Sequence, residues 1–280
     1  MLAKLRDLLR AEALRKAMRD KTMHAVEEVL RPMHDEQLRR IEQLERVVAD
    51  LRTEHEAQSR RVFDRLIEFE IRSRRDIVYA ADREAARESN RFVREHMPTA
   101  PHFAEPVATL EHALSLAPGG GMALEFGVYT GGTLKVIATA RPEGGVYGFD
   151  SFEGLPENWR NGFPAGTFSV DGLPDVPGAE LVVGWFDETL PDFLAAHPGP
   201  VDFLHVDGDL YSSAKTVLDQ VGPRLRPGSV ILFDEFFNFP GWQGHEARAW
   251  HEYVERTGIE FSYEGYTYAN EQVVVRVLET

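Results

Sequence analysis

The chain has 280 residues and a formal net charge of −15, with 31 basic against 46 acidic side chains. This balance argues against a nucleic-acid-binding protein, because phosphate contacts require clustered lysine and arginine. The sequence has no cysteine, which excludes disulfides, thiolate metal sites and cysteine nucleophiles. No apolar run reaches the length of a signal peptide or a membrane span. We therefore expect a cytoplasmic protein that binds neither nucleic acid nor membrane.

Residues 1–97 have the composition of long helices. They are rich in Arg, Glu, Leu and Ala, contain no glycine, and have one proline, Pro32. Pro32 is expected to end or kink the first helix. Apolar residues then recur at the three-and-four spacing of a short coiled-coil seam, at Ile41, Leu44, Val48 and Leu51. The pattern predicts a helical extension that ends near residue 97.

The extension has more than one possible role. It can pack on the following domain or on a sister subunit, which the interspersed charges favour. It can instead dock a separate partner or cover the substrate as a lid. We expect a homo-oligomer formed through these helices.

Residues 98–280 predict an α/β domain. Short apolar runs alternate at first with helical patterns, which is typical of βαβ units and a mainly parallel sheet. The last two runs predict an antiparallel hairpin at the edge of the sheet. We expect a doubly wound, mainly parallel, seven-stranded sheet with strands at residues 122–126, 146–149, 181–183, 201–206, 230–233, 260–263 and 272–277.

A glycine loop follows the first predicted strand of this sheet. Gly127, Gly131 and Gly132 permit a tight turn and close approach of a ligand to the backbone. Their spacing differs from the Gly-x-Gly-x-x-Gly of a dinucleotide fold. Glu125, just before the loop, would repel a pyrophosphate but suits a ligand that carries an amine. The loop by itself is weak evidence, because many glycine-rich turns only connect a strand to a helix.

Two further acids follow the next predicted strands. Asp150 stands where an acid can accept hydrogen bonds from both ribose hydroxyls, although an Asp that caps a turn is the common alternative. Phe152 could lie against an adenine ring. The segment from Gly184 to Asp187 stands where a doubly wound fold holds the adenine edge. Asp187 is equally well explained as an acid in the first turn of a helix.

A group of carboxylates follows the fourth and fifth predicted strands. Asp207, Asp234 and Glu235 would repel one another unless they were protonated or bound to a cation. Carboxylates with water and substrate oxygens suit Mg²⁺, which would orient a hydroxyl and lower its pKa. Asp209 could then take the proton. His205 is a second candidate, but its place inside an apolar run favours a structural role.

Three motifs resemble a known family. They are Glu125-Phe126-Gly127-Val128-Tyr129-Thr130-Gly131-Gly132-Thr133, Phe149-Asp150-Ser151-Phe152-Glu153-Gly154-Leu155-Pro156 and His205-Val206-Asp207-Gly208-Asp209-Leu210-Tyr211-Ser212-Ser213. In this order they look like the macrocin O-methyltransferase family of class I S-adenosylmethionine-dependent enzymes. Members typically methylate a sugar hydroxyl of an antibiotic in the presence of Mg²⁺. The similarity covers roughly residues 92–277.

The resemblance implies roles for matching residues. The family pattern usually ends in two Asp residues, so Glu235 is a departure from it. The metal ligands would be Asp207, Asp234 and Glu235, and the catalytic residues Asp207 and Asp209. The cofactor, S-adenosylmethionine, would contact Glu125, Gly127, Tyr129, Gly131, Thr133, Asp150, Ser151, Phe152, Gly184, Phe186, Asp187 and Asp207.

The leading hypothesis is thus an O-methyltransferase that acts on a small-molecule glycoside or polyol with S-adenosylmethionine and Mg²⁺. A nicotinamide-dependent oxidoreductase would share an acid at Asp150, but the glycine spacing and Glu125 disfavour it. A non-catalytic adaptor that uses the helical arm is the third possibility. In such an adaptor the α/β domain would be a remnant without catalytic function, and the intact residues argue against this: Gly127, Asp150, Asp207 and Asp234.

Overall fold

A computed structural model describes the backbone of residues 2–280 and the side chains of residues 11–280. The helices are α1 (Leu2–Arg75), α2 (Ile77–His96), α3 (Pro106–Leu116), α4 (Gly132–Ala140), α5 (Phe186–Ala196), α6 (Tyr211–Val221) and α7 (Glu246–Thr257). The strands are β1 (His102–Phe103), β2 (Met122–Phe126), β3 (Val146–Asp150), β4 (Glu180–Val183), β5 (Val201–Val206), β6 (Leu225–Phe233), β7 (Glu260–Thr267) and β8 (Val273–Glu279).

Helix α1 runs without interruption through Pro32. The expected helix end at this residue is therefore wrong. A proline ring removes one intrahelical hydrogen bond at a cost of about 3 kcal/mol. The long flanking stretches of Arg, Glu, Leu and Ala are strong helix formers that offset this cost. No described helix combines the length and the apolar character that a membrane crossing requires.

The chain divides into two compact units at a different place from the one that composition suggested. The units are residues 1–76 and 77–280, whereas the sequence placed the boundary near residue 97. Helix α2 lies in the second unit because it carries a buried face. Ala85 and Ser89 are buried, and Phe92 and Val93 pack against the large core. Its amphipathic pattern, rather than its charged composition, indicates this placement.

The second unit contains one eight-stranded sheet with the order β1-β7-β8-β6-β5-β2-β3-β4. Neighbouring strands are parallel except for the pairs β6–β8 and β7–β8. The mainly parallel sheet and the antiparallel hairpin are confirmed. The eighth strand is the two-residue β1, which pairs with β7 and was too short to give an apolar pattern.

Helices cover both faces of the sheet. Buried residues of α5, α6 and α7 belong to one core, which includes Phe126, Phe233 and Trp250. Buried residues of α3 and α4 belong to a second core, which includes Phe203 and Leu232. Since successive residues of a strand point to opposite faces, the central strands β2 and β5 are buried along their whole length. The carboxyl ends of these strands are where a ligand can enter.

Candidate active site

The carboxyl ends of the parallel strands are aligned by backbone hydrogen bonds just beyond each strand. The amide of Asp207 donates to the carbonyl of Phe126 at 2.9 Å, and the amide of Asp234 donates to the carbonyl of Val206 at 2.9 Å. Each acid therefore begins its loop beside the neighbouring strand. This register brings the acids after β5 and β6 together at one edge of the sheet.

Gly127 is required by the close approach of β2 to the loop after β5. It has φ +101°, and a Cβ atom at this position would overlap the backbone carbonyl oxygen of Asp207. Gly131 has φ +78° and forms the N-cap of α4. These two positions explain the spacing of the glycine loop, since other residues rarely adopt such backbone conformations.

Asp150 organises the glycine loop. Its Oδ2 accepts hydrogen bonds from the amides of Val128 and Tyr129, each at 2.8 Å, and its Oδ1 accepts from the amide of Phe152 at 2.7 Å. The carboxylate thus fixes the turn after β2 against the turn after β3. It also lines the adjoining cleft, so the same side chain can shape the loop and face a ligand.

A cleft of about 620 Å³ lies over these strand ends, within the range of ligand sites. Many of the predicted site residues line it: Gly127, Tyr129, Asp150, Ser151, Phe186, Asp187, Asp207, Asp209 and Glu235. Asp187 both lines the cleft and stands in the first turn of α5, so the two interpretations of this residue are compatible. Trp185, inside the segment predicted to hold the adenine edge, and its near neighbour Glu188 also line the cleft, as do Phe168 and Thr216, which the sequence did not single out.

Other predicted site residues lie outside the described cleft lining. Phe152 packs in the core beneath the loop rather than facing the cleft. Glu125 is fully buried, hydrogen-bonds with His205 and lies near Thr133. Gly131 and Gly184 shape turns, and Gly184 donates its amide to the carbonyl of Asp150 at 3.0 Å. Their cofactor contacts stay predictions.

His205 joins two of the predicted acids beneath the cleft. Its Nδ1 lies 2.8 Å from Oε1 of Glu125, and its Nε2 lies 3.6 Å from Oδ1 of Asp234. Ligand atoms of His205, Asp207 and Asp234 all lie within 4.8 Å of one another, a spacing that suits a metal ion. His205 is fully buried, as a structural histidine would be, but its partners belong to the site.

The acids at this edge have strongly perturbed protonation. Burial, and then the charge of Asp234, raise the pKa of Asp207 well above its usual range, and the same causes act on Glu235 and Glu246. Burial and Asp234 also raise the pKa of Asp209, to about 7. Burial opposes ionisation of Asp234 too, but His205, whose Nε2 lies 3.6 Å from this carboxylate, outweighs burial and lowers the pKa. If all of these acids were ionised, the site would therefore hold more negative charge than its described partners neutralise.

Buried carboxylate oxygens test whether a cation fits here. Oε2 of Glu235 and Oε1 of Glu246 are buried and have no hydrogen-bond partner among the described residues. The other Glu246 oxygen accepts a hydrogen bond from the amide of Glu235 at 3.0 Å. Unpaired buried oxygens are costly, and hard oxygen ligands are what Mg²⁺ prefers. The donor set therefore fits a hard divalent cation.

An arginine anchors the loop between β3 and β4 across the acidic site. Nη1 of Arg160 lies 2.9 Å and 3.0 Å from the two carboxylate oxygens of Glu271, in the turn between β7 and β8. Its guanidinium carbon lies 3.9 Å from the ring centroid of Trp159 and 4.7 Å from that of Phe239. Glu271 and Phe239 are both distant from Arg160 in sequence, so the sequence carries no local signal of these contacts.

Three residues of the cleft wall have left-handed backbones although they are not glycine. They are Tyr129 with φ 48°, Phe168 with φ 70° and Asp209 with φ 61°. Such conformations cost about 1–3 kcal/mol each and tend to gather at functional sites. Their position around one cleft supports its assignment as the active site.

The comparisons with known proteins agree with this geometry. Residues 124–236, which include the glycine loop, Asp150, Asp207 and Asp234, match the family model described as a methyltransferase domain. This part of the chain is therefore similar to a methyltransferase domain. The resemblance that the motifs carry is confirmed, and the oxidoreductase and adaptor alternatives are not favoured.

Two curated relatives share this domain. One is the 8-demethyl-8-(2,3-dimethoxy-alpha-L-rhamnosyl)-tetracenomycin-C 4'-O-methyltransferase of Streptomyces olivaceus, 32% identical over 41% of this chain and 53% of the relative. The chain thus spans about half the length of that relative. The other is the mycinamicin III 3''-O-methyltransferase of Micromonospora griseorubida, 29% identical over 65% of this chain and 80% of the relative.

A solved structure is also similar to the chain. The O-methyltransferase NovP is 22% identical, with a TM-score of 0.47 over 62% of this chain and 81% of its own.

Proposed function

We propose that this protein is an S-adenosylmethionine-dependent, divalent-metal-assisted O-methyltransferase that acts on a sugar hydroxyl of a glycosylated natural product. The observation that carries the proposal is the set of buried carboxylates after β5 and β6, beside the glycine loop and on the same cleft. The names of both curated relatives, which describe O-methyl transfer to glycosylated metabolites, support the substrate class. The cysteine-free composition supports a cytoplasmic enzyme.

The residues divide into two functional groups. When bound, S-adenosylmethionine supplies the methyl group and a divalent cation supplies positive charge beside the acceptor hydroxyl. Asp207, Asp234 and Glu235 would hold the cation. Asp150 keeps the glycine loop in shape through three amide hydrogen bonds and faces the cofactor side of the cleft. In this division the glycine loop positions the cofactor, and the acids hold the positive charge of the cation beside the acceptor hydroxyl.

Asp209 is the proposed proton acceptor. It lines the cleft, stands two residues after Asp207, and is held by a left-handed backbone that turns it out of the regular chain path. A sugar hydroxyl ionises far above neutral pH, so transfer of a methyl group from the cofactor to this hydroxyl needs a base within reach to take its proton. Of the two acids that the loop after β5 contributes to the cleft wall, Asp207 is assigned to the cation, which leaves Asp209 for this role.

Calorimetric titration of S-adenosylhomocysteine, with and without Mg²⁺, tests the class of enzyme. We expect micromolar binding, and we expect methyl transfer from labelled S-adenosylmethionine to rhamnosylated polyketides that depends on Mg²⁺. A titration with NAD is the matched negative control. Absence of S-adenosylhomocysteine binding in both conditions would contradict the proposal, and binding without Mg²⁺-dependent transfer would contradict its metal part.

We further propose that α1 pairs with α1 of a second copy as a parallel coiled coil. Ile41 and Val48 fall at one position of a heptad and Leu44 and Leu51 at the other core position, and all four are exposed on the isolated helix. Such a seam is self-complementary, and β-branched residues at the first position with leucine at the second favour parallel dimers. The polar residues that continue the seam, His55 and Gln58, would set its register.

Light scattering on the full chain tests this pairing. We expect a dimer, and a monomer for the double variant Leu44→Asp with Leu51→Asp. The control is Gln43→Asp with Thr53→Asp, which adds the same charge away from the seam. Since the chain has no cysteine, Gln58→Cys should form an intermolecular disulfide only in a parallel, in-register dimer. A monomeric wild type, or a dimer that forms no such disulfide, would contradict the proposal.

A further inference from the structure

We propose that His205 is a positioning residue that holds Asp234 in place for the divalent cation and ties the cation site to the strand beneath the glycine loop. This inference rests on the proposed function, because it assumes that the acids after β5 and β6 bind a cation. The residues concerned are buried below the cleft rather than part of its wall. His205 and Glu125 are each fully buried, and neither is among the described lining residues.

The imidazole of His205 spans the gap between two strands that do not pair with each other. His205 stands in β5, which lies between β2 and β6 in the sheet. Its Nδ1 faces Glu125 of β2 at 2.8 Å, and its Nε2 faces Asp234, directly after β6, at 3.6 Å. One side chain therefore contacts an acid from each neighbouring strand.

The chain of polar contacts continues at both ends. At one end, Thr133, in the first turn of α4 after the glycine loop, lies close enough to Glu125 to lower the pKa of its carboxyl, against the larger effect of burial. At the other end, Asp234 accepts a hydrogen bond from Nε2 of Gln272 at 3.1 Å, just before β8. The chain thus runs from the glycine-loop helix to the cation site beneath the cleft floor.

A positioning role follows from the charges that meet at Asp234. Asp207 and Asp234 would repel each other, and each would tend to turn away before a cation arrives. Gln272 donates a hydrogen bond to Asp234, and Nε2 of His205, which is buried without a hydrogen-bond partner among the described residues, faces the same carboxylate at 3.6 Å, so the two side chains restrain its orientation. Second-shell partners of this kind commonly change metal affinity about 10- to 100-fold. Glu125 in turn fixes the ring through Nδ1, so it should act on the cation only through His205.

Calorimetric titration of Mn²⁺ and of Mg²⁺ into the full chain tests the inference. The variants are His205→Gln, Glu125→Gln and the double variant. His112→Gln is the matched control, because His112 is a partly buried histidine whose Nε2 lies 2.9 Å from the backbone carbonyl of Glu264, outside the site. Titration of S-adenosylhomocysteine without cation shows whether each variant keeps an intact cofactor site.

We expect His205→Gln to weaken Mn²⁺ and Mg²⁺ binding by the same factor, about 10- to 100-fold. Glu125→Gln should have a smaller effect, and the double variant should be no worse than His205→Gln alone, because both residues act along one path. S-adenosylhomocysteine affinity of His205→Gln without cation should stay within about threefold of wild type, and His112→Gln should behave as wild type.

Several results would overturn the inference. Wild-type cation affinity in His205→Gln is one, and strictly additive effects in the double variant are another. A loss of Mn²⁺ affinity much larger than that of Mg²⁺ would show that His205 binds the cation directly, since imidazole favours transition metals. If His205→Gln does not fold, a Glu125→Gln variant that binds the cation as tightly as wild type overturns the inference instead. A wild type that binds S-adenosylhomocysteine but no cation would instead overturn the metal part of the proposed function, and this inference with it.

Discussion

Two aspartates at opposite ends of β5 show what separates a structural acid from a functional one. Asp202, near the start of the strand, is fully buried, and its Oδ1 lies 2.8 Å from Nε of Arg226. Its other oxygen accepts a hydrogen bond from the amide of Gly121 at 2.6 Å. Asp207, just after the strand, faces Asp234 and Asp209 instead, and burial and these charges raise its pKa.

The difference lies in the partners rather than in the residue type. At one end of the strand, arginine and an amide satisfy a buried carboxylate. At the other end, buried carboxylates gather without a matching cation from the chain, which costs stability unless a ligand compensates. Local inconsistencies of this kind in a stable protein mark functional sites, so the carboxylates at the Asp207 end of the strand indicate function rather than structure.

The largest expected effect is that of Asp207→Asn on cation binding. Loss of one charged ligand should weaken Mn²⁺ binding at least about 1000-fold, which corresponds to about 4 kcal/mol. The melting temperature in EDTA should not fall, because the variant removes repulsion among the acids. Calorimetry and thermal unfolding check both parts. Normal cation affinity in this variant would remove Asp207 from the metal site.

Asp202→Asn should have the opposite pattern. It breaks a buried ion pair and leaves Arg226 without its partner, so the free energy of unfolding should fall by about 3 kcal/mol. Mn²⁺ affinity should not change, because this end of the strand is remote from the cleft. Urea unfolding and the same titration measure the two quantities. Weakened cation binding here would mean that the two ends of β5 are not independent.

The smallest expected effect is a pH dependence of the cation-free protein. The pKa of Asp209 is raised from 3.8 to about 7, so the folded state holds this proton more tightly than the unfolded chain does. The resulting stabilisation is complete below about pH 3.8 and is lost as the pH rises through about 7. In EDTA, each kcal/mol lost should lower the melting temperature by about 2–4 °C.

Asp209→Asn is the control for that titration. The variant should flatten the fall between pH 5 and 8, and Mg²⁺ should reduce the fall in wild type because the cation neutralises the acids. A wild-type melting temperature in EDTA that rises across this range would show that the acids are not held in the way described.

The sequence predicted the part of the site that depends on strand order. Asp207 and Asp234 each follow an apolar run, and adjacent parallel strands must bring such residues to one edge. The glycine loop and Asp150 could be placed for the same reason. The apolar seam of α1 could be identified because a heptad repeat depends only on residues that are close in sequence, and the pairing of this seam stays a prediction.

Side-chain direction inside the central strands could not be predicted. β2 and β5 are buried on both faces, so alternation does not show where Glu125 and His205 point. Glu125 lies beneath the loop, a placement that the sequence did not show, and its contact with the cofactor stays a prediction. Phe152 lies in a turn with a left-handed backbone, and its ring points into the core, which the sequence does not show. Contacts between distant segments, such as Arg160 with Glu271, leave no trace in a single sequence.

The anchored arginine has a consequence for how such an enzyme could acquire new acceptors. Arg160, in the loop after β3, is held by Glu271 and two aromatic rings, and the next strand, β4, begins at Glu180. The intervening residues 161–179 include Phe168 of the cleft wall but none of the proposed cation ligands. This segment therefore shapes part of the cleft wall without supplying a cation ligand. Evolution, or an engineer, could vary the acceptor while the acids and the glycine loop stay the same.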